Sequence, residues 1–412
     1  MLAINGTQAM GDRVMRRLAE LAALSEMEGG ITRRYLTPAH RAANELVGGW
    51  MREAGMDVHT DAAGNIRGRY EGTDPDAPAV MFGSHLDTVA DAGAYDGCLG
   101  VVSAIEAVAA LHEQGVRPEH PLEVVGFADE EGTRFGVTYL GSAALAGLWE
   151  EQWFDAADPE GTSMRQAMLD FGLDPARVGE AAIPREKILH YYELHIEQGI
   201  CLERAGLALG AVTCINGSKR FNIRITGETG HAGTIPVSWR RDAMLGAAEA
   251  ISEMERIARA VGDSLYFTIG YIVCRPNLAN CIPGEVDLRL DVRSNSREEL
   301  DRAVADMHAA LRAVCAKRGL EVSIEQFFQS PLMPCTPELV DRVRKAVGAV
   351  QGTVTELPSG AGHDAAEMAL AWPMAMIFLR CEKGLSHCPQ ERVTPADAAM
   401  GVRVLLELIS GY

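Results

Sequence analysis

Between Ala79 and Gly132 the chain reads as strand, helix, strand, with ionisable residues gathered after each strand. Ala79-Val80-Met81-Phe82 is an apolar run of the length of a buried strand, and Leu122 to Phe127 is a second. The apolar segment from Gly100 to Ala110 between them reads as a helix. This alternation predicts a mostly parallel sheet covered by helices. Open sheets of that kind place their chemistry at the carboxyl ends of the strands. Here the first strand runs into Gly83-Ser84-His85-Leu86-Asp87 and then Asp96-Gly97, and the second into Asp129-Glu130-Glu131-Gly132. His85 offers an imidazole ligand. Asp87, two residues on and on the same side of an extended chain, can hold that ring in one tautomer from behind. Consecutive side chains in the acidic run point different ways, so one Glu can meet a metal while its neighbour faces the substrate as a base. These nitrogen and oxygen donors suit a metal site, and one with two metals.

Other segments feed the same region. Residues 8 to 24 and 37 to 54 read as helices, and Val58 to Arg69 as a short hairpin. A strand from Ile188 ends in Glu193-Leu194-His195-Ile196-Glu197-Gln198-Gly199, where His195 is a second imidazole and Gln198 a donor for a carbonyl or carboxylate. Beyond the strand Met374 to Leu379 comes Ser386-His387-Cys388-Pro389. His387 is a third imidazole. Cys388 reads as a bystander, because carboxylate-rich two-metal sites favour oxygen and nitrogen. Ser359-Gly360-Ala361-Gly362-His363-Asp364 is a Gly-rich turn whose backbone N–H groups can cradle an anion, though it lacks the Lys of a phosphate loop.

After about residue 210 the pattern changes to strand, helix, strand, strand, helix, strand, the order of a ferredoxin-like sandwich. The chain is therefore expected to form an α/β catalytic domain from residues 1–211 and 330–412, with residues 212–329 inserted as a smaller domain. The insert carries Gly230-His231-Ala232-Gly233, Asn280, Arg293 and Arg220. Such donors suit a substrate with a carboxylate, Arg above all; the alternative for both arginines is a surface ion pair.

Composition narrows the function further. The 412 residues carry a formal net charge of −19 with no basic stripe, which argues against nucleic acid as a partner. No stretch reads as a membrane span or a secretory signal. Nine cysteines without a Cys-x-x-Cys pair read as reduced thiols, so a cytoplasmic protein is expected.

In this order and spacing the motifs resemble the hydantoinase/carbamoylase branch of the M20 metallopeptidase-like amidases, over nearly the whole chain. The resemblance implies a mixed sheet flanked by helices, with the inserted sandwich serving as lid and homodimerisation domain. It implies two divalent ions, Zn or Mn with Co or Ni also accepted. One would lie on His85, Asp96 and His195, the other on Asp96, Glu131 and His387, with Glu130 as general base and Asp87 in support. His231 would stabilise the oxyanion, and Gln198, Arg220, Asn280, Arg293 and the backbone at Gly362 would bind substrate. His231 and Asn280 would reach the site of the partner subunit. His195 separates this branch from M20 aminoacylases and dipeptidases, which tend to carry an acidic residue there. Cys388 and Ala143 depart from the common pattern without touching a proposed ligand. The implied substrates are small ureido compounds bearing a carboxylate. Arg220, a second cation beside Arg293, tilts the expectation toward allantoate over N-carbamoyl-L-amino acids or β-ureidopropionate. A catalytically inactive binding homologue would have shown itself by a lost ligand or base; all are present.

Overall fold

The structure, a computed structural model, describes residues 7–412 and divides into two compact units. The first runs to Thr213 and resumes at Cys335; the second is Cys214–Pro334.

In the first unit the strands lie in the order Asp57–Thr60, Ile66–Tyr70, Leu122–Phe127, Ala79–His85, Ile188–Ile196, Met374–Leu379, Leu209–Ile215. The four strands from Leu122–Phe127 to Met374–Leu379 are parallel, and the neighbours on both sides run antiparallel. The sheet is thus mixed, with a parallel centre. Every residue of Ala79–His85, Leu122–Phe127 and Met374–Leu379 is buried. Continuous apolar runs of this kind belong to strands covered on both faces. Two strands escaped the sequence reading, Leu209–Ile215 and Glu356–Ser359. Both lie at the sheet's far side.

Register aligns the strand ends. His85 pairs with Phe127, and His195 with Phe378. The loops carrying Asp96, the acidic run, Gln198 and His387 therefore all leave the same edge of the parallel strands. Helix Cys98–Glu113 crosses over between Ala79–His85 and Leu122–Phe127 and is buried along most of its length. Its Glu106 is fully buried and accepts from Arg13 at 2.7 Å and Arg17 at 3.3 Å, both on helix Thr7–Ala22. Pairing of this kind offsets the cost of a buried carboxylate. Gly100 lets the same helix press on strand Ile188–Ile196: a Cβ there would fall 2.1 Å from the Leu194 carbonyl oxygen.

The second unit has strands ordered Glu321–Ser330, Gly217–Thr226, Glu285–Ser294, Leu265–Arg275, all antiparallel. Helices Ala243–Val261 and Arg297–Lys317 pack on it through a core of Phe221, Ile223, Leu288, Leu290, Ala247 and Met307. Fourth, first, third, second is the ferredoxin-like order.

Gly100→Ala should cost about 1–3 kcal/mol of stability, the usual range for overpacking. Urea unfolding checks this; an unchanged midpoint would show that the helix can move off Leu194 freely.

Candidate metal centre

Asp96 sits where the loop after Ala79–His85 turns into helix Cys98–Glu113, and its residue is 6% exposed. Its two oxygens face different groups. Oδ1 lies 3.1 Å from His195 Nε2 and 3.5 Å from His85 Nε2. Oδ2 lies 3.2 Å from His387 Nε2, whose ring is 3.5 Å from Glu131 Oε1. His85, Asp96 and His195 thus form one group of converging donor atoms, and Asp96, Glu131 and His387 a second. A third set joins His85 to Glu130 and Glu131.

The donor chemistry fits divalent cations. The Nδ1 of His85 donates to the Asp87 carbonyl at 3.0 Å, and that of His195 to the Ile196 carbonyl at 2.9 Å. Those bonds leave the Nε2 lone pairs of the neutral rings aimed at Asp96. The His195 Nε2 is buried and makes no hydrogen bond. A lone pair facing a carboxylate oxygen inside the protein repels it unless a cation or a proton lies between. Burial works against charge on His85 and His195, yet contact with Asp96, and for His85 also Asp87, raises both imidazoles above their ordinary range. Burial likewise opposes the Asp96 charge, and His195, His387 and His85 together hold it well below the usual carboxylate range.

The acidic run is held by Asp87. Its Oδ1 accepts the Glu130 amide at 2.9 Å and its Oδ2 the Glu131 amide at 3.1 Å. Asp87 thus meets His85 Nδ1 through its carbonyl, with its carboxylate 3.5 Å from the same nitrogen, and the carboxylate also fixes the two glutamates, which the sequence did not indicate. Burial pushes the Glu130 carboxyl well above its ordinary range; His85 pulls it back, and Glu131, Asp364 and Asp87 add to the rise. Burial raises Glu131 to about 7.

Gln198, with φ +54°, donates to Asp96 Oδ2 at 2.8 Å, so it touches the centre itself rather than only an open cleft. His363 stacks edge-on against His195 with ring centroids 4.4 Å apart, and burial keeps it neutral. In the Gly-rich turn the Ser359 hydroxyl accepts the Ala361 amide, so that N–H is already satisfied. Gly362 lies under Tyr139, where a Cβ would fall 1.9 Å from the phenol oxygen. Neither Tyr139 nor Glu391, which accepts the amides of Tyr95 and Asp96, was singled out from sequence. Cys388 is half-buried and belongs to none of the donor groups.

In the second unit His231 lies on a two-residue strand, paired with Cys281, and the Ala232 amide bonds the Asn280 carbonyl. His231 and Asn280 are thereby neighbours. The His231 Nδ1 accepts the Gly233 amide at 3.1 Å, which leaves the ring proton on Nε2. Arg220 and Arg293 converge on Asp291, at 3.0 and 2.8 Å, and Arg220 also covers the Phe328 ring. Both arginines are thus ion-paired with one partly exposed carboxylate, the alternative that the sequence left open for them.

Residues 81–411 match the model of peptidase family M20/M25/M40. The chain is 40% identical to an N-carbamoyl-L-amino acid amidohydrolase of Geobacillus stearothermophilus, over 97% of this chain and 98% of that one. It is 34% identical to allantoate deiminase 1 of Glycine max, over 97% and 89%. A crystal structure of a hydantoinase/carbamoylase family amidase from Burkholderia multivorans superposes with a TM-score of 0.92 at 33% identity, covering 97% of each chain.

Wild-type protein dialysed against a divalent metal should retain two ions per chain, and Asp96→Ala almost none while keeping its circular dichroism. Elemental analysis decides this, and an Asp96→Ala protein that still holds two ions would remove Asp96 from the centre.

Proposed function

The chain belongs to peptidase family M20/M25/M40, in its hydantoinase/carbamoylase branch, and is a hydrolase of carbon–nitrogen bonds; from this we propose a two-metal amidohydrolase that cleaves the ureido bond of a small carboxylate-bearing substrate. The observation that carries the reading is the pair of donor groups sharing Asp96, with Glu130 beside them. His85, Asp96 and His195 would hold one ion, and Asp96, Glu131 and His387 the other. Bound there, divalent cations supply Lewis-acid polarisation of the ureido carbonyl and acidify water.

The protein's own groups do the rest. Glu130 takes a proton from water as its oxygen bonds to the ureido carbon. His231 of the partner subunit, with its proton on Nε2, donates to the oxyanion, an interaction strongest in the transition state. As the C–N bond breaks, Glu130 passes its proton to the leaving nitrogen. The carbamic acid so formed falls apart to ammonia and carbon dioxide. Arg293 anchors the substrate carboxylate, and Gln198, the Gly362 backbone and Asn280 of the partner subunit orient the rest. The insert is proposed as the homodimerisation domain, in keeping with the family resemblance.

For substrate we place allantoate first, because Arg220 stands with Arg293 on one carboxylate and adds a second guanidinium for a doubly ureido substrate. An N-carbamoyl-L-amino acid is the second reading, favoured by the 40% identity to a relative of that name.

Glu130→Gln should keep its metals and lose roughly 10²–10⁴-fold in kcat, the range for removing a general base. Ammonia release from allantoate and a panel of N-carbamoyl-L-amino acids measures it, and full turnover by Glu130→Gln would remove that residue from the mechanism. In the same assay Arg220→Gln should lower kcat/KM for allantoate more than for carbamoyl amino acids. Equal losses would favour the second reading.

A further inference from the structure

Glu391 is 3% exposed, and among the described residues it forms no ion pair with Lys or Arg. A buried carboxylate without a cation is costly, so its hydrogen bonds must hold it. Oε1 accepts the Tyr95 amide at 2.8 Å and the Asp96 amide at 3.1 Å. Oε2 lies 2.8 Å from the Ser386 hydroxyl, which is also 2.8 Å from Asp96 Oδ2 and accepts from Gln198 at 3.2 Å. One carboxylate therefore ties the loop of Asp96 to the loop of His387. Space is kept for it: a Cβ on Gly93 would fall 2.3 Å from the Glu391 Cβ.

The two donor groups differ in how they are built. His85 and His195 end strands, and backbone carbonyls fix their rings. His387 lies in irregular chain between Leu379 and the helix Pro395–Ile409, at φ +56°, with half its side chain exposed. Nothing so regular as a strand aims it. The Ser386–Glu391 link supplies that restraint from the neighbouring residue.

We propose that Glu391 is a positioning residue that clamps residues 93–97 against residues 386–391 and so sets the geometry of the Asp96, Glu131 and His387 group. The proposal rests on the two-metal reading above. Through Asp96 it touches both groups, but through Ser386 it reaches only His387, and the His85 and His195 rings are oriented without it, so the Asp96, Glu131 and His387 group depends on it more.

Metal titration of the full chain tests this. Glu391→Ala should bind its second ion roughly 10- to 100-fold more weakly, the usual cost of removing a residue that orients a ligand, and its first ion with a smaller loss. Glu391→Gln, which keeps one acceptor oxygen for the amides, should lose less. The ion weakened more should be the one His387→Ala loses, so the double variant should hold its single ion no more weakly than Glu391→Ala holds its first. Equal weakening of both ions, or wild-type affinity for both in Glu391→Ala, would overturn the proposal. Should Glu391→Ala fail to fold, Glu391→Gln and Ser386→Ala are read by the same criterion. A wild-type chain that binds fewer than two ions overturns the two-metal reading, and the proposal with it; only in that case does the unmutated protein deviate.

Discussion

The carboxylate of Asp96 is the interaction on which the rest depends. Three imidazoles, the Gln198 side-chain amide and the Ser386 hydroxyl converge on its two oxygens, and each oxygen serves a different set. A single strand end could not deliver this. Four parallel strands in register are needed, because each contributes the loop that carries one part. The burial that removes solvent from the site also makes every uncompensated charge costly, so geometry and electrostatics are one problem here.

The solution is a layered one. Asp87 turns its carboxylate toward the amides of Glu130 and Glu131 and away from competition with Asp96. Glu391 does the equivalent for the amides of Tyr95 and Asp96. In both cases an acidic side chain close to the metal-ligand candidates is spent on backbone N–H groups, which orients the neighbouring loop without adding another ligand. His363, kept neutral by burial, packs against His195 and adds no charge.

Much of the fold was legible from the chain. Leu122–Phe127, Leu265–Arg275, Glu285–Ser294 and Met374–Leu379 begin and end where the apolar pattern places them. Leu122–Phe127 and Met374–Leu379 are buried throughout and Glu285–Ser294 alternates with a period of two, while Leu265–Arg275 alternates only in its first half. Leu209–Ile215 and Glu356–Ser359 were missed because the first breaks its run of large apolar residues with Gly210, Ala211 and Thr213 and the second is only four residues long. His85, Asp96, Glu131, His195 and His387 stood out because each closely follows a strand and is a residue type that binds metal. Glu391 carried no such signal: its partner amide at Asp96 is 295 residues away. The amide that Asp87 holds at Glu130 is 43 residues away, and the nearby imidazole was the more visible partner.

The sequence by itself determined which groups stand at the strand ends and which elements carry them, since periodicity and residue type are local properties. Only the tertiary structure decided how those groups divide. The split of Asp96 between two sets, the tautomers of His85, His195 and His231, and the meeting of Arg220 with Arg293 on Asp291 all depend on strand register and loop packing. Contacts of that kind join distant parts of the chain, and their geometry exists only once the sheet is assembled and water is excluded from its edge.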